Sequence, residues 1–453
     1  MNTHTLTFLN KKVTLPIIND LKVELTIQEN PYSIPLDELF LMAARINKNR
    51  SFLFVSKVLG KHIPINPKKG LLIGSLLAGR YLEIVENKAF EFNGDLLSQL
   101  LSEEPVLCDE AFISNSYNPL IIGFAETATA LGHAFFNSFE TAHFFHTTRE
   151  QLVNSQPVIS FEEEHSHATS HRCYIDESII NHEREIILVD DEITTGKTAL
   201  NIIRSIHEKF PRNTYTVVSI LDWRSDLNVD KFLQLEKELG ITIRTVSLIK
   251  GTVDVKGELS GLVERDQVVK ENELYLPDVS YHYFDGNTLI QKASINMNGE
   301  LSDVPYLKGT GRFGINSYDN QEINSYLEQM GMELRLIRTG TKTLCLGNGE
   351  FMYLPMKLAA YMGENVFYHS TTRSPIYPNN EATYGAKHKL SFFNPEDLSI
   401  QNFVYNIGPE EFDELFLFFE REIPKDKLDE FLKELNLTKI EKINIVFFSK
   451  KLG

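Results

Sequence analysis

The sequence lacks the features that mark membrane proteins and disulfide-stabilised proteins. None of its apolar runs approaches the length of a membrane span, and the segment that begins at Met1 lacks the basic-then-apolar layout of a secretory signal. It has 3 cysteines in 453 residues, and Cys108, Cys173 and Cys345 form no CxxC pair. Neither a disulfide framework nor a zinc knuckle is therefore indicated, and we expect a cytoplasmic protein with no membrane partner.

Positive charge is also in the minority, because 45 Lys and Arg stand against 62 Asp and Glu and give a formal net charge of −17 at pH 7. Most of such a surface would repel a phosphate backbone, so we expect no nucleic-acid partner. A small anionic substrate needs only local cations. Five cations lie near the motifs described below: Lys57, Lys61, Arg149, Arg172 and Lys197. The length and mixed composition otherwise predict an ordinary soluble protein with two or three domains.

The most informative stretch is IILVDDEITTGKT, from Ile186 to Thr198. Its first four residues predict a buried strand, Asp190 and Asp191 follow, and a loop rich in Thr and Gly leads into a run that predicts a helix. Backbone N–H groups and hydroxyls at a helix N-terminus can hold a phosphate. The paired carboxylates can then accept hydrogen bonds from sugar hydroxyls or orient Mg²⁺.

Two other interpretations of this stretch explain less of it. A buried strand with an ordinary helix cap explains the apolar run and the threonines. It does not explain two adjacent carboxylates, which repel each other without a cation or hydroxyl partner. A Walker A loop would need a glycine where Asp191 stands. The stretch therefore favours a site for a phosphorylated sugar.

These residues resemble the signature of the phosphoribosyltransferases, which is an apolar strand, two acids, two spacers, Thr-Gly and a Ser or Thr. The resemblance implies that Asp190 and Asp191 hold the ribose hydroxyls of phosphoribosyl pyrophosphate (PRPP), with Mg²⁺ as cofactor. It also implies an α/β fold with the parallel, Rossmann-like sheet of the type I phosphoribosyltransferases. The implied ligands of the 5′-phosphate, which we call the phosphate loop, are Thr194, Thr195, Gly196, Lys197 and Thr198.

A second strand–turn–helix pattern comes earlier, from Pro119 to His133. In the phosphoribosyltransferases the equivalent early loop binds pyrophosphate. Glu126 is unexpected beside an anion and fits there only if it meets Mg²⁺ or the amine of an acceptor. We group it with the two aspartates as a catalytic candidate. The implied pyrophosphate-binding residues, which we call the diphosphate loop, are Gly123, Phe124, Ala125, Glu126 and Thr127.

A polar block rich in histidine follows, between two further predicted strands. The phosphoribosyltransferase family carries a mobile flap at this place, and its closure would exclude water from an oxocarbenium-like centre. A transition-metal site at the histidines and a solvated polar loop are alternative interpretations. The flap candidates are Arg149, Glu164, His165, His167, His171 and Arg172.

The rest of the N-terminal half predicts further strands and helices. Residues 5–30 predict a β-hairpin or meander, 36–45 predict a helix, and 70–79 predict a helix with small residues for close packing. Residues 51–64 end in a basic loop that is either solvated or faces the substrate. The residues from 252 to 290 are polar and irregular enough to hold a domain junction.

The expected domains are therefore 1–275, with an N-terminal β extension, and 285–453. The second domain repeats the motif order of the first, and its next predicted strand, Phe403 to Gly408, lacks an acid pair and leads into a predicted helix from Pro409. We hypothesise a second α/β domain that is a degenerate phosphoribosyltransferase-like repeat, although chance similarity could mimic one. The corresponding residues are Gly123 and Gly347, Glu126 and Glu350, and His146-Thr147-Thr148-Arg149 and His369-Ser370-Thr371-Thr372-Arg373.

The string Thr372-Arg373-Ser374-Pro375 resembles the TRSP domain, which accompanies a phosphoribosyltransferase domain in bacterial tellurite-resistance-type operons. The resemblance covers nearly the whole chain. It implies an enzyme of unsettled acceptor that makes or salvages a nucleotide-like metabolite. Thr372, Arg373 and Ser374 either bind a phosphate or carboxylate, or the arginine pairs with a structural acid.

The reaction implied by the resemblance is displacement of pyrophosphate from C1 of PRPP by a nitrogenous acceptor, or its reverse, with Mg²⁺. In the 6-oxopurine enzymes an acid stands where Thr194 stands, so an orotate-like arrangement is the closer one. A non-catalytic regulator that binds PRPP or a nucleotide is the alternative, and a metal-dependent hydrolase built on the histidine-rich flap is a third. Many relatives dimerise, and the sequence leaves open both a homodimer and the identity of the acceptor.

Overall fold

The computed structural model describes residues 11–46, 51–162, 170–259, 277–286 and 288–451. The N-terminal part contains a β-hairpin followed by alternating strands and helices. In chain order its elements are β1 (Lys11–Ile18), β2 (Leu21–Glu29), α1 (Leu36–Leu39), β3 (Phe40–Ala44), β4 (Phe52–Ser56), α2 (Pro67–Glu86), α3 (Phe92–Leu101), β5 (Leu120–Gly123), α4 (Ala128–Phe136), β6 (His143–His146), β7 (Gln151–Leu152), β8 (Ile159–Glu162), β9 (Ser170–Cys173), α5 (Glu177–Ile180), β10 (Ile186–Ile193), α6 (Lys197–Lys209), β11 (Thr214–Asp222), α7 (Asp226–Leu239) and β12 (Thr242–Lys256).

The C-terminal part contains short strands, a long helix and a second set of alternating strands and helices. In chain order its elements are β13 (Asp278–Tyr283), β14 (Leu289–Ile290), β15 (Ser294–Ile295), β16 (Leu301–Ser302), β17 (Tyr306–Leu307), β18 (Ile315–Asn316), α8 (Ser317–Ile337), β19 (Thr343–Gly347), α9 (Tyr353–Tyr361), β20 (Val366–Ser370), β21 (Leu390–Asn394), β22 (Asp397–Val404), β23 (Glu414–Phe419), α10 (Lys425–Leu435) and β24 (Lys442–Phe447). None of the helices in the described ranges is long and apolar enough to cross a membrane.

The first sheet has the strand order β1-β2-β12-β11-β10-β5-β6-β18. Its central strands, from β12 to β6, pair in parallel, whereas β1, β2 and β18 add antiparallel strands at the edges. The predicted parallel α/β sheet is therefore confirmed. Because ligands of such sheets bind beyond the carboxyl ends of the strands, the neighbours β5 and β10 bring the two predicted loops together.

The burial of each strand follows its place in this sheet. The first four residues of β10 are all buried, as expected for a central strand covered on both faces. In β2, buried and more exposed residues alternate because only one face is fully covered. The helix predicted at 36–45 is wrong beyond residue 39, since Phe40–Ala44 forms β3 and pairs antiparallel with β4. Short apolar runs do not distinguish a strand from a buried helix, and here pairing with β4 decides. We call β3 and β4 the hood hairpin.

The second sheet has the order β13-β24-β23-β19-β20, and its strands are all parallel. The order β20-β19-β23-β24 corresponds to β6-β5-β10-β11 of the first sheet, which agrees with the repeat hypothesis. The predicted counterpart of β10 was misplaced, however. Phe403 belongs to β22 and pairs with Ser391 of β21, and the third position is occupied by β23. No helix begins at Pro409, because the helix that follows β23 is α10, from Lys425.

The two domains share one hydrophobic core, which extends from the first sheet into α9 and β20. Helix α2 lies between them, as its small residues predict. Gly74 allows close approach to Ala134 of α4, and Gly70 allows close approach to Met356 of α9. Strand β18 crosses back to pair with β6, and β15 pairs with β7. The chain after residue 285 therefore contributes to both halves of the molecule.

Candidate active site

The phosphate loop connects β10 to α6. Strand β10 continues through Asp190 and Asp191 to Ile193, so the acid pair lies within the carboxyl end of the strand. Gly196 caps α6 with a φ of 70°, which glycine adopts without strain. A Cβ at this position would overlap the ring of Phe232. The backbone N–H groups of this loop thus stand at the start of a 13-residue helix, an arrangement that can hold a phosphate.

The diphosphate loop lies beside the acid pair because Gly123 of β5 is the register partner of Val189 of β10. The backbone N–H of Phe124 donates to the carbonyl oxygen of Val189 at 3.2 Å. The next N–H, of Ala125, donates to Oγ1 of Thr147 at 2.9 Å. Strand β10 and the residue that follows β6 therefore hold the loop from both sides.

Glu126, the unexpected acid of this loop, is surrounded by cations. Its Oε2 lies 2.9 Å from Nζ of Lys61 and 3.9 Å from Nη1 of Arg149, and Lys61 also donates to Oγ1 of Thr127 at 2.8 Å. Burial by itself would raise the pKa of Glu126, but the positive charges of Lys61, Arg149 and Arg373 outweigh burial and lower it. Glu126 is therefore ionised and serves as counter-charge to a cation cluster.

A cavity of about 470 Å³ opens where these parts meet. It lies between the carboxyl end of the first sheet, the hood hairpin and a segment of the second domain. The predicted residues that line it are Phe124, Ala125, Glu126, Thr127, Arg149, Asp190, Asp191, Thr194, Thr195, Gly196, Lys197, Thr198, Arg373 and Ser374. The predicted residues within the described ranges that do not line it are Gly123, His171, Arg172 and Thr372.

The base of the predicted flap is the hairpin of β8 and β9. The ring of His171 stacks on Phe161 with centroids 5.1 Å apart, and its Nδ1 lies 2.8 Å from Oγ1 of Thr147. Nη1 of Arg172 donates to the carbonyl oxygen of Arg149 at 3.0 Å. The hairpin is thus attached to the residues that hold the diphosphate loop. The other flap candidates, Glu164, His165 and His167, lie outside the described residues.

The second-domain candidates divide between the cavity and the core. Arg373 and Ser374 line the cavity, whereas Thr372 is fully buried. The backbone of Thr372 exchanges two hydrogen bonds with Phe403, at 2.9 and 2.7 Å. Its Oγ1 accepts a hydrogen bond from the N–H of Ser374 at 3.1 Å. Thr372 therefore fixes the turn that presents its two neighbours to the cavity.

The sequence did not predict the hood hairpin, and it left open whether segment 51–64 faces the substrate. Phe54 of the hairpin, with Leu59 and His62 of the segment after it, lines the cavity. Trp223 stacks on Phe54 with ring centroids 5.2 Å apart but does not line the cavity. Burial, with the charge of nearby Lys61, lowers the pKa of His62 well below its ordinary value. The imidazole is therefore neutral at pH 7, and its Nε2 is buried without a hydrogen-bond partner among the described residues.

Of the alternatives for segment 51–64, the structure supports the substrate-facing one at two residues. Lys61 and His62 are each only 6 % exposed and both line the cavity. Lys57 instead lies at the surface and donates to the carbonyl oxygen of Asp37 at 2.6 Å. No sequence signal separates these lysines, because the partner of Lys61 lies 65 residues away.

Two family models match the chain. One, described as phosphoribosyl transferase, matches residues 39–252. The other, described as the TRSP domain C-terminal to that transferase, matches residues 309–435. The models occur in the order and places that the sequence motifs predict. A comparison with curated proteins finds no match.

The similar solved structures include adenine phosphoribosyltransferases. The Trypanosoma brucei enzyme, in complex with AMP, pyrophosphate and ribose-5-phosphate, is 13 % identical, with 53 % of this chain and 86 % of that chain covered and a TM-score of 0.28. The Leishmania tarentolae enzyme is 17 % identical, with 49 % of this chain and 89 % of that chain covered and a TM-score of 0.29. The Rhodothermus marinus enzyme is 17 % identical, with 29 % of this chain and 70 % of that chain covered and a TM-score of 0.21. The assignment of the fold rests on the strand order and the family models.

Proposed function

We propose that this chain, which belongs to the phosphoribosyl transferase family with a TRSP domain C-terminal to the transferase domain, transfers the phosphoribosyl group of PRPP to a nitrogenous acceptor or catalyses the reverse reaction. One observation carries the proposal. The phosphate loop, the acid pair and the diphosphate loop all open into the same cavity of about 470 Å³. A pentose with a 5′-phosphate and a 1-diphosphate requires these three groups of ligands in one place.

Each group has a distinct role in the proposed reaction. Asp190 and Asp191 accept hydrogen bonds from the ribose hydroxyls, and the phosphate loop binds the 5′-phosphate. The C1–O bond breaks with its electron pair leaving on pyrophosphate, the nitrogen lone pair of the acceptor forms the C1–N bond, and the acceptor nitrogen loses its proton. Lys61 and Arg149 line the cavity beside the diphosphate loop and stabilise the charge that develops on the leaving group.

Glu126 prepares this site for an anion. Three cations around one cavity would repel one another, and the buried carboxylate of Glu126 offsets that repulsion. Its contact with Lys61 also fixes the ammonium at the diphosphate loop before substrate arrives. Positioning charges in advance is the main way such a site lowers the barrier for charge transfer to a leaving group.

The acid pair also fits Mg²⁺. Asp190 and Asp191 supply carboxylate oxygens to the cavity. No group of three or more His, Cys, Asp or Glu side chains could hold a metal ion within the ranges that the structure describes. This suits Mg²⁺, which commonly binds through one or two carboxylates together with substrate phosphates. When bound, Mg²⁺ would neutralise part of the negative charge on pyrophosphate.

The hood hairpin supplies the remaining wall, which we assign to the acceptor. Leu53 and Phe54 of the hairpin, with Leu59 of the segment that follows it, form an apolar surface, and such a surface suits the face of a planar ring. The neutral imidazole of His62 can accept a hydrogen bond from an N–H group or donate one to a ring nitrogen. This combination of an apolar wall and a neutral imidazole supports a nitrogen heterocycle as the acceptor.

The test is release of pyrophosphate from PRPP and Mg²⁺ in the presence of a panel of nitrogen heterocycles. We expect release with at least one acceptor, and the double variant Asp190→Asn with Asp191→Asn should lower kcat/KM by about 100-fold because two charged hydrogen-bond acceptors are lost. Asp230→Asn, on the exposed face of α7, is the control. Calorimetric binding of PRPP without release for any acceptor would favour the regulator, and absence of PRPP binding would contradict both.

A further inference from the structure

In both domains a threonine hydroxyl accepts a hydrogen bond from the loop that follows the matching strand, which is β5 in the first domain and β19 in the second. In the first domain, the N–H of Ala125 donates to Oγ1 of Thr147 at 2.9 Å. In the second domain, the N–H of Gly349 donates to Oγ1 of Thr371 at 2.9 Å. Because each threonine begins a Thr-Thr-Arg string, Arg149 of the first domain corresponds to Arg373 of the second.

The second domain cannot use its own counterpart of the active site. By the register of the strands, the position of the acid pair is taken by Phe419, the last residue of β23, and by Glu420. Arg312, only 2 % exposed, pairs with Glu420 at 2.7 Å, and Arg421 pairs with Glu150 at 3.0 Å. The carboxylate at the second of the two acid positions is therefore already paired with an arginine and is not available to a sugar hydroxyl. No Thr-Gly-Lys-Thr loop precedes α10.

The loop of the second domain instead reaches into the first domain. Glu350, the counterpart of Glu126, accepts hydrogen bonds from Oγ1 of Thr148 at 2.6 Å and from the N–H of Arg149 at 2.8 Å. Glu350 therefore fixes the segment that carries one of the cations of the cavity.

Arg373 reaches the same cavity from the opposite domain. It lines the cavity together with Lys61, Glu126 and Arg149, and its positive charge is one of those that act on Glu126. Its side chain forms no hydrogen bond or ion pair with any residue in the described part of the chain. The buried turn at Thr372 holds its backbone in place. A planar guanidinium with unused donors suits bidentate binding of a phosphate.

We infer that the second domain acts as a fused, non-catalytic partner that supplies Arg373 to the pyrophosphate subsite of the first domain. The inference rests on the proposed function and extends it, because it makes the active site a product of both domains. The diphosphate is the chosen ligand because Arg373 lines the cavity close enough to the diphosphate loop for its charge to act on Glu126, whereas the phosphate loop belongs to β10 and α6.

Titration calorimetry with Mg²⁺ and three separate probes, PRPP, pyrophosphate and ribose 5-phosphate, tests the inference in the full chain. Arg373→Ala should weaken binding of PRPP and of pyrophosphate by about 10- to 100-fold, because one charge-assisted pair is lost. Ribose 5-phosphate, which lacks the diphosphate, should bind within about twofold of the wild type. Arg373→Lys should restore part of the affinity, since the charge returns without the bidentate geometry.

Arg335→Ala is the matched control, because it removes an exposed arginine of the same domain and should change none of the three affinities. Unchanged pyrophosphate affinity in Arg373→Ala, or an equal loss of affinity for ribose 5-phosphate, would overturn the inference. If the wild type binds PRPP and Arg373→Ala binds it equally well, only the inference fails. If the wild type binds no PRPP, the proposed function itself fails.

Discussion

At the scale of single residues, the cavity depends on side chains whose roles differ from those of chemically similar neighbours. Lys57 and Lys61 belong to the same basic segment, yet the first lies at the surface and the second pairs with Glu126 inside the protein. Removing one partner of a buried ion pair destabilises a protein strongly, because the other charge is left buried and uncompensated. The charge balance of the cavity therefore belongs to the cluster and not to any one residue.

Gly196 offers a test of the phosphate loop. Gly196→Ala should lower the free energy of unfolding by about 1 to 3 kcal/mol, because a Cβ would be strained at a φ of 70° and would overlap Phe232. The variant should also weaken binding of PRPP by at least about tenfold, since the loop must move. Chemical denaturation and calorimetry measure the two effects.

The control is Gly240→Ala, because Gly240 has a similar φ of 67° but a methyl group there would meet no atom within 4 Å beyond its own chain neighbours. It should lose only the smaller stability that the backbone strain costs and should keep its affinity for PRPP. Equal behaviour of the two variants would contradict the special role of Gly196.

Glu396 predicts a pH dependence of stability. Although 24 % of its side chain is exposed, desolvation of the carboxyl raises the pKa of Glu396 from 4.5 to about 7, and the charge of Arg421 only partly opposes this. Between these values the folded protein keeps a proton that the unfolded chain releases. The contribution of Glu396 to the free energy of unfolding should therefore fall as the pH rises from about 4.5 to about 7. Buried histidines act in the opposite direction, since burial lowers the pKa of His133 to about 3 and that of His146 to about 4.

Thermal unfolding midpoints measured across this pH range check the prediction. Glu396→Gln should gain stability relative to the wild type as the pH rises, because its side chain no longer titrates, while the control Glu364→Gln, at an exposed position, should show no such gain. Glu150 titrates in a lower pH range, since the charges of Arg312 and Arg421 overcome burial and lower its pKa to about 2. Its contribution is present above pH 4.5 and is lost as the pH falls towards about 2. A difference in midpoint between Glu396→Gln and the wild type that stays constant with pH would contradict the assignment.

At the scale of elements, the proposed active site consists mainly of two loops that follow neighbouring strands. The local pattern of strand, loop and helix predicted both loops, and the family model confirms the fold to which they belong. The hood hairpin was not predicted, because Phe40–Ala44 forms a strand only by pairing with Phe52–Ser56. Such pairing depends on the neighbour and is not a property of the segment alone.

Thr147 connects these elements and provides the next prediction. Thr147→Val keeps the shape of the side chain but leaves the N–H of Ala125 without its acceptor, which should cost about 1 to 3 kcal/mol of unfolding free energy. Because the diphosphate loop loosens, affinity for PRPP should fall by about tenfold or more. Denaturation curves and calorimetry measure both quantities.

Thr438→Val is the comparison, since it also removes a buried hydroxyl, which donates to the carbonyl oxygen of Leu435 at 2.6 Å in the second domain. It should destabilise the protein without changing the affinity for PRPP. If both variants lost affinity alike, general destabilisation and not the position of the diphosphate loop would explain the result.

At the scale of the whole molecule, the two domains are joined through their interiors. His133 of α4 stacks on Tyr353 of α9 with centroids 3.6 Å apart, and β18 of the C-terminal part completes the first sheet. We therefore expect one cooperative thermal transition, with a calorimetric enthalpy close to the van't Hoff enthalpy. PRPP should raise the midpoint of that whole transition. Two separate transitions, of which PRPP moves only one, would contradict this.

The sequence by itself determined the parts of the structure that a short, contiguous pattern of residues specifies. A run of apolar residues, an acid pair, a Thr/Gly loop and a helix start lie within one short stretch, from Ile186 to Thr198. They suffice to predict a strand, a loop and a helix and, through their resemblance to the phosphoribosyltransferase signature, the parallel sheet. Tertiary structure alone decided that Lys61 meets Glu126, that β23 is the counterpart of β10, and that Arg373 faces the cavity of the other domain. The physical reason is that these relations arise from the packing of distant segments, and no local pattern of residues specifies which distant segment will be the neighbour.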